Sequence, residues 1–289
     1  MLVADAPIDA PAAEAVMARA ASENFPVASW VLPRRVRSHL LAAYGFARLV
    51  DELGDSDQRP DQRLAALDWL QAELERAFRG DAAHPLLVRL QATVRECSLA
   101  HEPFLRLIEA NRLDQRVSRY QTWAELRRYC ALSADPVGEI VLGILGLASP
   151  ARIALSDCIC TALQLTEHCQ DVAEDLARGR VYLPLEDLRR FGCSEAELAQ
   201  DHAAGPLREV LAFEVARARA LLADGAPLIA ELHGRPKLAV AAFAGGGRAA
   251  LQAIERARYD VLAGPPRAGR AARAAALVAT LQASRGAAR

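Results

Sequence analysis

The 289-residue chain is almost without lysine: Lys237 stands beside 34 arginines. A GC-rich coding bias accounts for most of that skew and for the abundant alanine, although the guanidinium fork is also the geometry that phosphates favour. Net charge is nearly absent too. With 35 basic and 36 acidic residues the formal charge is -1, which excludes bulk attraction to nucleic acid. Aromatic residues make up only 5%, and period-2 alternation is hard to find. Apolar positions instead recur at three and four residues, as in Leu40, Leu41, Tyr44, Ala47 and Leu49, Val50, Leu53. The pattern predicts an all-α chain.

Other absences narrow the setting. The longest uncharged apolar run, Ile140 to Ala148, falls far short of the roughly 20 residues that span a bilayer. Asp5, Asp9 and Glu14 precede the first arginine, Arg19, so the start lacks the basic and apolar regions of a secretory signal and a cytoplasmic protein is expected. The cysteines at 97, 130, 158, 160, 169 and 193 form no paired CxxC motifs; reduced, mostly buried thiols are expected. No dinucleotide fingerprint is present. Gly245-Gly246-Gly247 lies in a helical context with no preceding strand, which suits close helix packing better than a nicotinamide site.

Pro and Gly clusters divide the helices without a linker long enough to separate domains, the clearest being Leu32-Pro33, Ser56 to Pro60, Gly80 to Pro85, Ser149-Pro150 and Gly179 to Pro184. The expectation is a single helical domain over residues 1–289, loosely ordered at 1–20 and 285–289. Two long apolar helices, about Trp123 to Leu147 with Pro136 inside and about Pro150 to Ala177, are expected at its centre. After Asp260 the chain has no acid but carries Arg267, Arg270, Arg273, Arg285 and Arg289, with Ala274, Leu277, Val278 and Leu281 at one-face spacing. Such a helix either docks on the body or lies on an anionic membrane surface.

Three stretches carry chemistry. In Arg48-Leu49-Val50-Asp51-Glu52-Leu53-Gly54-Asp55, Asp51 and Asp55 project from one side of a helix, one turn apart. A solvated acidic helix end is the plain alternative. The i, i+4 pair recurs at Asp171 and Asp175, within a polar stripe of Gln164, Glu167, Asp171 and Asp175 near another helix end. Two such faces repel unless hard cations bridge them, and Mg2+ takes a few carboxylate oxygens plus phosphates. The third stretch, Arg178-Gly179-Arg180-Val181-Tyr182, offers guanidinium groups for phosphate oxygens, or is an ordinary basic helix stop.

These residues, with Glu23 to Ser29, Leu32-Pro33, Ala43 to Arg48, Tyr129-Cys130 and Ser133 to Gly138, resemble the squalene and phytoene synthase family, and within it the hydroxysqualene synthase branch of bacterial squalene and hopanoid biosynthesis. The resemblance implies a helical bundle of the class I isoprenoid synthase type with a central cavity, and two DxxxD motifs on facing helices that bind Mg2+ and a prenyl diphosphate. Carried over residue by residue, Asp51, Asp55, Asp171 and Asp175 would ligate Mg2+, and Glu167 would do so in the place of the family's asparagine. Gln164, Tyr44 and Tyr129 would line the reaction centre. Phe25, Arg48, Ala134, Val137, Gly138, Arg180 and Tyr182 would contact substrate. Asp135 departs from an asparagine common in this branch.

The implied reaction ionises presqualene diphosphate, with water capturing the cation to give hydroxysqualene and diphosphate and no nicotinamide cofactor. Tyrosine faces would stabilise that cation by up to about 2 kcal/mol. The alternatives are presqualene diphosphate or phytoene synthesis and a non-catalytic binding or assembly module. A di-metal carboxylate bundle is disfavoured, because Glu167-His168 lacks the Glu-x-x-His spacing it needs. The partners implied are the prenyl diphosphate, transiently other enzymes of the squalene pathway, and the cytoplasmic face of the inner membrane; nucleic acid is not among them.

Overall fold

The computed structural model describes residues 31–286. Among them, regular structure is helical, and the sole extended pairing is an isolated parallel bridge between Arg119 and Val181. The chain forms two compact units, one of residues up to Arg116 plus Pro136–Ser149, the other of Val117–Asp135 plus everything from Pro150.

The first unit is built from α1 (Arg34–Gly54), α2 (Pro60–Arg79), α3 (Pro85–Cys97) and α4 (Glu102–Asp114). Proline opens α2 and α3 at the first helical position, where its missing N–H is no loss. Phe46 and Phe104 are fully buried and meet edge to face at 5.4 Å, with Phe78 against Phe104 at 5.8 Å. Around these rings Leu49, Leu67, Leu70, Leu74, Leu87 and Leu90 close the core. The buried Glu73 carboxylate accepts from the backbone N–H of His84 at 3.2 Å and from Arg76 at 3.0 Å, fixing the turn between α2 and α3.

Two expected long helices are each broken. The stretch from Trp123 to Leu147 divides into α5 (Trp123–Ser133) and α6 (Asp135–Ile144), with Ala134 between them at φ -113°, ψ -49°. Pro136 is the reason: it cannot donate to the preceding turn, and it restricts the residue before it. The chain passes from one unit to the other at that point. The stretch from Pro150 to Ala177 divides into α7 (Pro150–Gln170) and α8 (Val172–Ala177), with Asp171 at φ -103°, ψ 20° between them.

In the second unit α7 is central, as expected. It packs against α5, α10 (Gly205–Asp224), α11 (Ala226–Glu231) and α12 (Gly234–Arg256), while α9 (Leu185–Arg190) packs on α10. The glycine run acts as foreseen: a Cβ at Gly245 would lie 3.0 Å from the backbone of Leu277 in α13 (Arg270–Gly286), and one at Gly247 would strike the Leu163 side chain. The basic tail therefore docks on α12, but not through its expected face. Ala276, Thr280 and Ser284 are buried, whereas Val278 is exposed. Backbone this close admits only small side chains between the helices. No described helix is long and apolar enough to cross a membrane.

Arg217 lies over the rings of Trp123 and Phe213 and reaches Glu214 at 2.6 Å and Asp187 at 2.9 Å. Burial, opposed by Arg217 and reinforced by Asp187, pushes the Glu214 carboxyl up to about 8. Glu214 Oε2 is buried and has no hydrogen-bond partner.

Two predictions follow from this packing. Gly245→Val should cost about 1–3 kcal/mol through overpacking, read as a lowered melting temperature, while Gly205→Ala, where a Cβ meets nothing within 4 Å, should change it little. Because the folded Glu214 value lies above its unfolded one, the protonated side chain's advantage is complete below the ordinary 4.5 and is lost as pH rises toward 8. Glu214→Gln should flatten that fall in stability, measured by denaturant melts at pH 5 and pH 9.

Candidate active site

In the first unit, α1 carries Tyr44, Arg48 and Asp51 at successive turns, and Asp55 caps its C-terminal end. The Asp55 N–H donates to the Asp51 carbonyl at 2.8 Å, so the pair keeps helical register although Asp55 itself has left the helix. Both carboxylates lie at the negative end of the helix dipole, which adds to the field that attracts a cation.

Arg48 stands 3.9 Å from Asp51 and 3.5 Å from Glu52. Surrounding protein pushes the Asp51 carboxyl up to about 7, with Arg48 and Asn111 acting the other way and Asp55 and Asp114 adding repulsion. Its side chain is nevertheless 53% exposed. The carboxyl is crowded by protein while part of its side chain still meets solvent, and crowding outweighs the repulsion from Asp55 and Asp114 as the cause of the shift. In α6, Gly138 is buried and Val137 is 42% exposed.

Asn111 and Gln115 were not among the sequence candidates. Asn111 Nδ2 donates to Asp51 Oδ1 at 3.3 Å, and Gln115 Nε2 donates to the Gly54 carbonyl at 3.0 Å. They lie some 60 residues from their partners, and no local pattern announces them.

In the second unit, Asp171 takes the N-cap position of α8, yet its side chain makes no capping hydrogen bond. An aspartate there usually caps backbone N–H groups; this carboxylate is left for another partner. The backbone repeats the bond seen in α1, with the Asp175 N–H on the Asp171 carbonyl at 2.8 Å. Burial and Glu174 push Asp171 up to about 6 against the pull of Arg267 and Arg178. Glu167 is half-buried one turn earlier. The expected stripe therefore survives in spacing while the helix that carries it is interrupted.

Gly179, at φ 77°, turns the chain after α8, and the Arg180 N–H bonds to the Asp175 carbonyl at 2.8 Å. A small cavity here is lined by His168, Asp175, Arg180, Tyr182, Leu183 and Leu198. His168 stacks on Tyr182 with centroids 4.0 Å apart and 12° between planes, and Tyr129 lies 5.4 Å from Tyr182. Tyr120 completes the group at 5.3 Å from Tyr129. The Gln164 amide nitrogen is 3.3 Å from His168 Nε2. Burial holds the His168 imidazole far down, at about 3, so the ring is neutral. His168 and Tyr120 also escaped the sequence reading, the first because it was weighed only as a metal ligand.

Ala134 is buried at the break before α6. Its neighbour Asp135 is 2% exposed and fully engaged, accepting from Thr161 Oγ1 at 2.9 Å and Arg127 at 2.8 Å. The departure from asparagine is matched by that arginine. Phe25 lies outside the described residues.

Among the described residues, no three His, Cys, Asp or Glu side chains converge on one point. Each pair is a two-carboxylate site. That donor set fits Mg2+, which keeps water and phosphate oxygens and rarely uses an all-protein cage.

Residues 18–274 match the family model described as squalene/phytoene synthase. The chain is 37% identical over 212 residues to hydroxysqualene synthase from Rhodopseudomonas palustris, covering 73% of this chain and 71% of the relative. It is 33% identical over 257 residues to phytoene synthase from Arthrospira platensis, covering 83% and 82%. Among solved structures, squalene synthase HpnC from Alicyclobacillus acidocaldarius is similar at 45% identity and a TM-score of 0.78, covering 86% of this chain and 94% of that one. The all-α architecture is that of the isoprenoid synthases.

Arg119 holds the segment bearing Arg180 and Tyr182, donating to the carbonyls of Ser118 and Gly179 and to Glu195, while the Val181 N–H bonds to the Ser118 carbonyl at 2.9 Å. Arg119→Gln should speed hydrogen exchange at the Val181 amide well before global unfolding. Unchanged protection there would show that the bridge stands without the guanidinium.

Proposed function

The chain belongs to the squalene/phytoene synthase family, enzymes that process prenyl diphosphates, and from that premise we propose that it converts presqualene diphosphate to hydroxysqualene and inorganic diphosphate. The observation that carries the reading is the 37% identity over 212 residues to the hydroxysqualene synthase of Rhodopseudomonas palustris, alongside the 45% identity to squalene synthase HpnC. In the first unit, Asp51 and Asp55 would hold Mg2+ and Arg48 would answer diphosphate oxygens. In the second, Asp171 and Asp175, with Glu167 beside them, would be the corresponding ligands, and Arg180 would pair with the leaving group. Bound Mg2+ supplies Lewis-acid stabilisation of the negative charge that develops on departing diphosphate.

The remaining work belongs to side chains that carry no charge. Ionisation leaves an allylic cation that needs a wall without nucleophiles and without competing positive charge. The Tyr129 and Tyr182 faces offer quadrupole stabilisation, each contributing about 0.5–2 kcal/mol according to desolvation. His168 in its neutral form adds an aromatic surface without repelling the cation. The Gln164 amide, with its nitrogen toward His168, keeps its oxygen to orient one water, whose addition gives the alcohol and releases a proton to diphosphate. Ala134, Val137, Gly138 and Leu142 are the small or apolar contacts for the isoprenoid chains. A positional role at the cytoplasmic face of the inner membrane, served by the arginines of α13, suits an apolar product.

The similarity to phytoene synthase favours head-to-head condensation of two prenyl diphosphates as the second reading. Purified protein with Mg2+ should convert presqualene diphosphate to a C30 alcohol carrying 18O from labelled water, and should leave farnesyl diphosphate unchanged. Formation of a C30 diphosphate from farnesyl diphosphate alone would overturn the assignment. Asp51→Asn and Asp171→Asn should each lower turnover by about 100-fold or more, the scale on which loss of preorganised charge stabilisation is felt.

A further inference from the structure

The end of α1 is held by more than its own hydrogen bonds. Gly54, between the two aspartates, is buried, and a Cβ there would run into the Asn111 side chain. The absence of a side chain is what lets α4 and the residues after it approach. Across that gap Gln115 Nε2 donates to the Gly54 carbonyl at 3.0 Å and to the Asn111 carbonyl at 2.9 Å. Both partners only accept, so the amide orientation is dictated by its surroundings. One turn earlier, Asn111 Nδ2 donates to Asp51 Oδ1 at 3.3 Å and to the Leu107 carbonyl at 3.4 Å.

We propose that Asn111 and Gln115 are positioning residues for the first aspartate pair: Gln115 fixes the C-terminal carbonyl of α1, and Asn111 fixes the Asp51 carboxylate, so that both side chains leave the helix in the register a divalent cation needs. The inference rests on the reading of Asp51 and Asp55 as Mg2+ ligands. Its logic is that of hydrogen-bonded carboxylate ligands generally. One oxygen is committed to a protein donor and the other is aimed at the metal, and loss of the donor weakens metal binding by about 10- to 100-fold. Gln115 Oε1 is buried and receives no hydrogen bond in the structure. It stays close to Gly54, since its own amide nitrogen is bonded there. A water held in a cation's shell is a donor of the kind this oxygen lacks.

The test is the affinity of the full-length protein for Mn2+ in the presence of inorganic diphosphate, read from the electron paramagnetic resonance signal of free Mn2+. Gln115→Met keeps the length of the side chain and removes its donors; Asn111→Ala removes the donor to Asp51 while leaving the Gln115 contact to α1 in place. Each should weaken Mn2+ by about tenfold while the metal-free melting temperature moves little. A structural role alone would lower that temperature and leave the affinity within twofold, and this result in both variants would overturn the proposal. Asn111→Ala keeps the test decisive should Gln115→Met fold poorly. Asp51→Asn separates the two levels: weaker Mn2+ there, with none in the other variants, defeats only the positioning role, whereas unchanged Mn2+ in Asp51→Asn defeats the ligand assignment and the positioning role with it.

Discussion

Repulsion between carboxylates one helical turn apart is the constraint on which the functional architecture depends. A pair at i and i+4 gains nothing from helix formation and loses a few tenths of a kcal/mol in water, more as protein closes in. The chain twice tolerates this, and both times the backbone carries the same 2.8 Å bond from the second aspartate to the first. The two sites differ in where the helix gives way. In α1 the second aspartate is the cap, while at the start of α8 it is the first that leaves helical geometry. At α8 the Asp171 carboxylate makes no capping bond, and in α1 Arg48 stands 3.9 Å from Asp51.

The aromatic group of the second unit answers the opposite requirement. In the proposed reaction, departure of the anion leaves a cation to be accommodated. Tyr120, Tyr129, His168 and Tyr182 stack with centroid separations from 4.0 to 6.2 Å. Electron-rich faces attract a cation without bonding to it. Burial decides the outcome for His168, since desolvation of an imidazolium outweighs the pull of Asp175 at 3.9 Å.

Helical periodicity made the fold class legible, because apolar spacing reports directly on which face is buried. The one-turn spacing of the aspartate pairs and the close approach at the glycine run were legible for similar reasons: the partner is one turn away, or the residue type has few uses. Breaks at Ala134 and Asp171 were not. Proline inside an apolar run reads equally as a kink or a boundary, and Asp171 lies in a continuous stripe. Asn111 and Gln115 were illegible because their meaning lies in contacts across about 60 residues of chain. The face of α13 was misjudged for a physical reason. Hydrophobic spacing marks the buried side only when helices pack through side chains, and α12 meets α13 through backbone.

That backbone contact has a further consequence. Where Gly245 leaves room for the Leu277 backbone, which even one added Cβ would approach to 3.0 Å, the attraction comes from main-chain atoms that every amino acid shares, so the docked helix is recognised by its thinness rather than by its chemistry. Its repeated alanines then serve as a specification as well as a coding bias, and the information that fixes the C-terminal helix is written mostly on the helix that receives it. Substitutions should be accepted freely on the outer side of α13 and hardly at all in the glycine run, an asymmetry that a comparison of side-chain sizes alone would assign to the wrong partner.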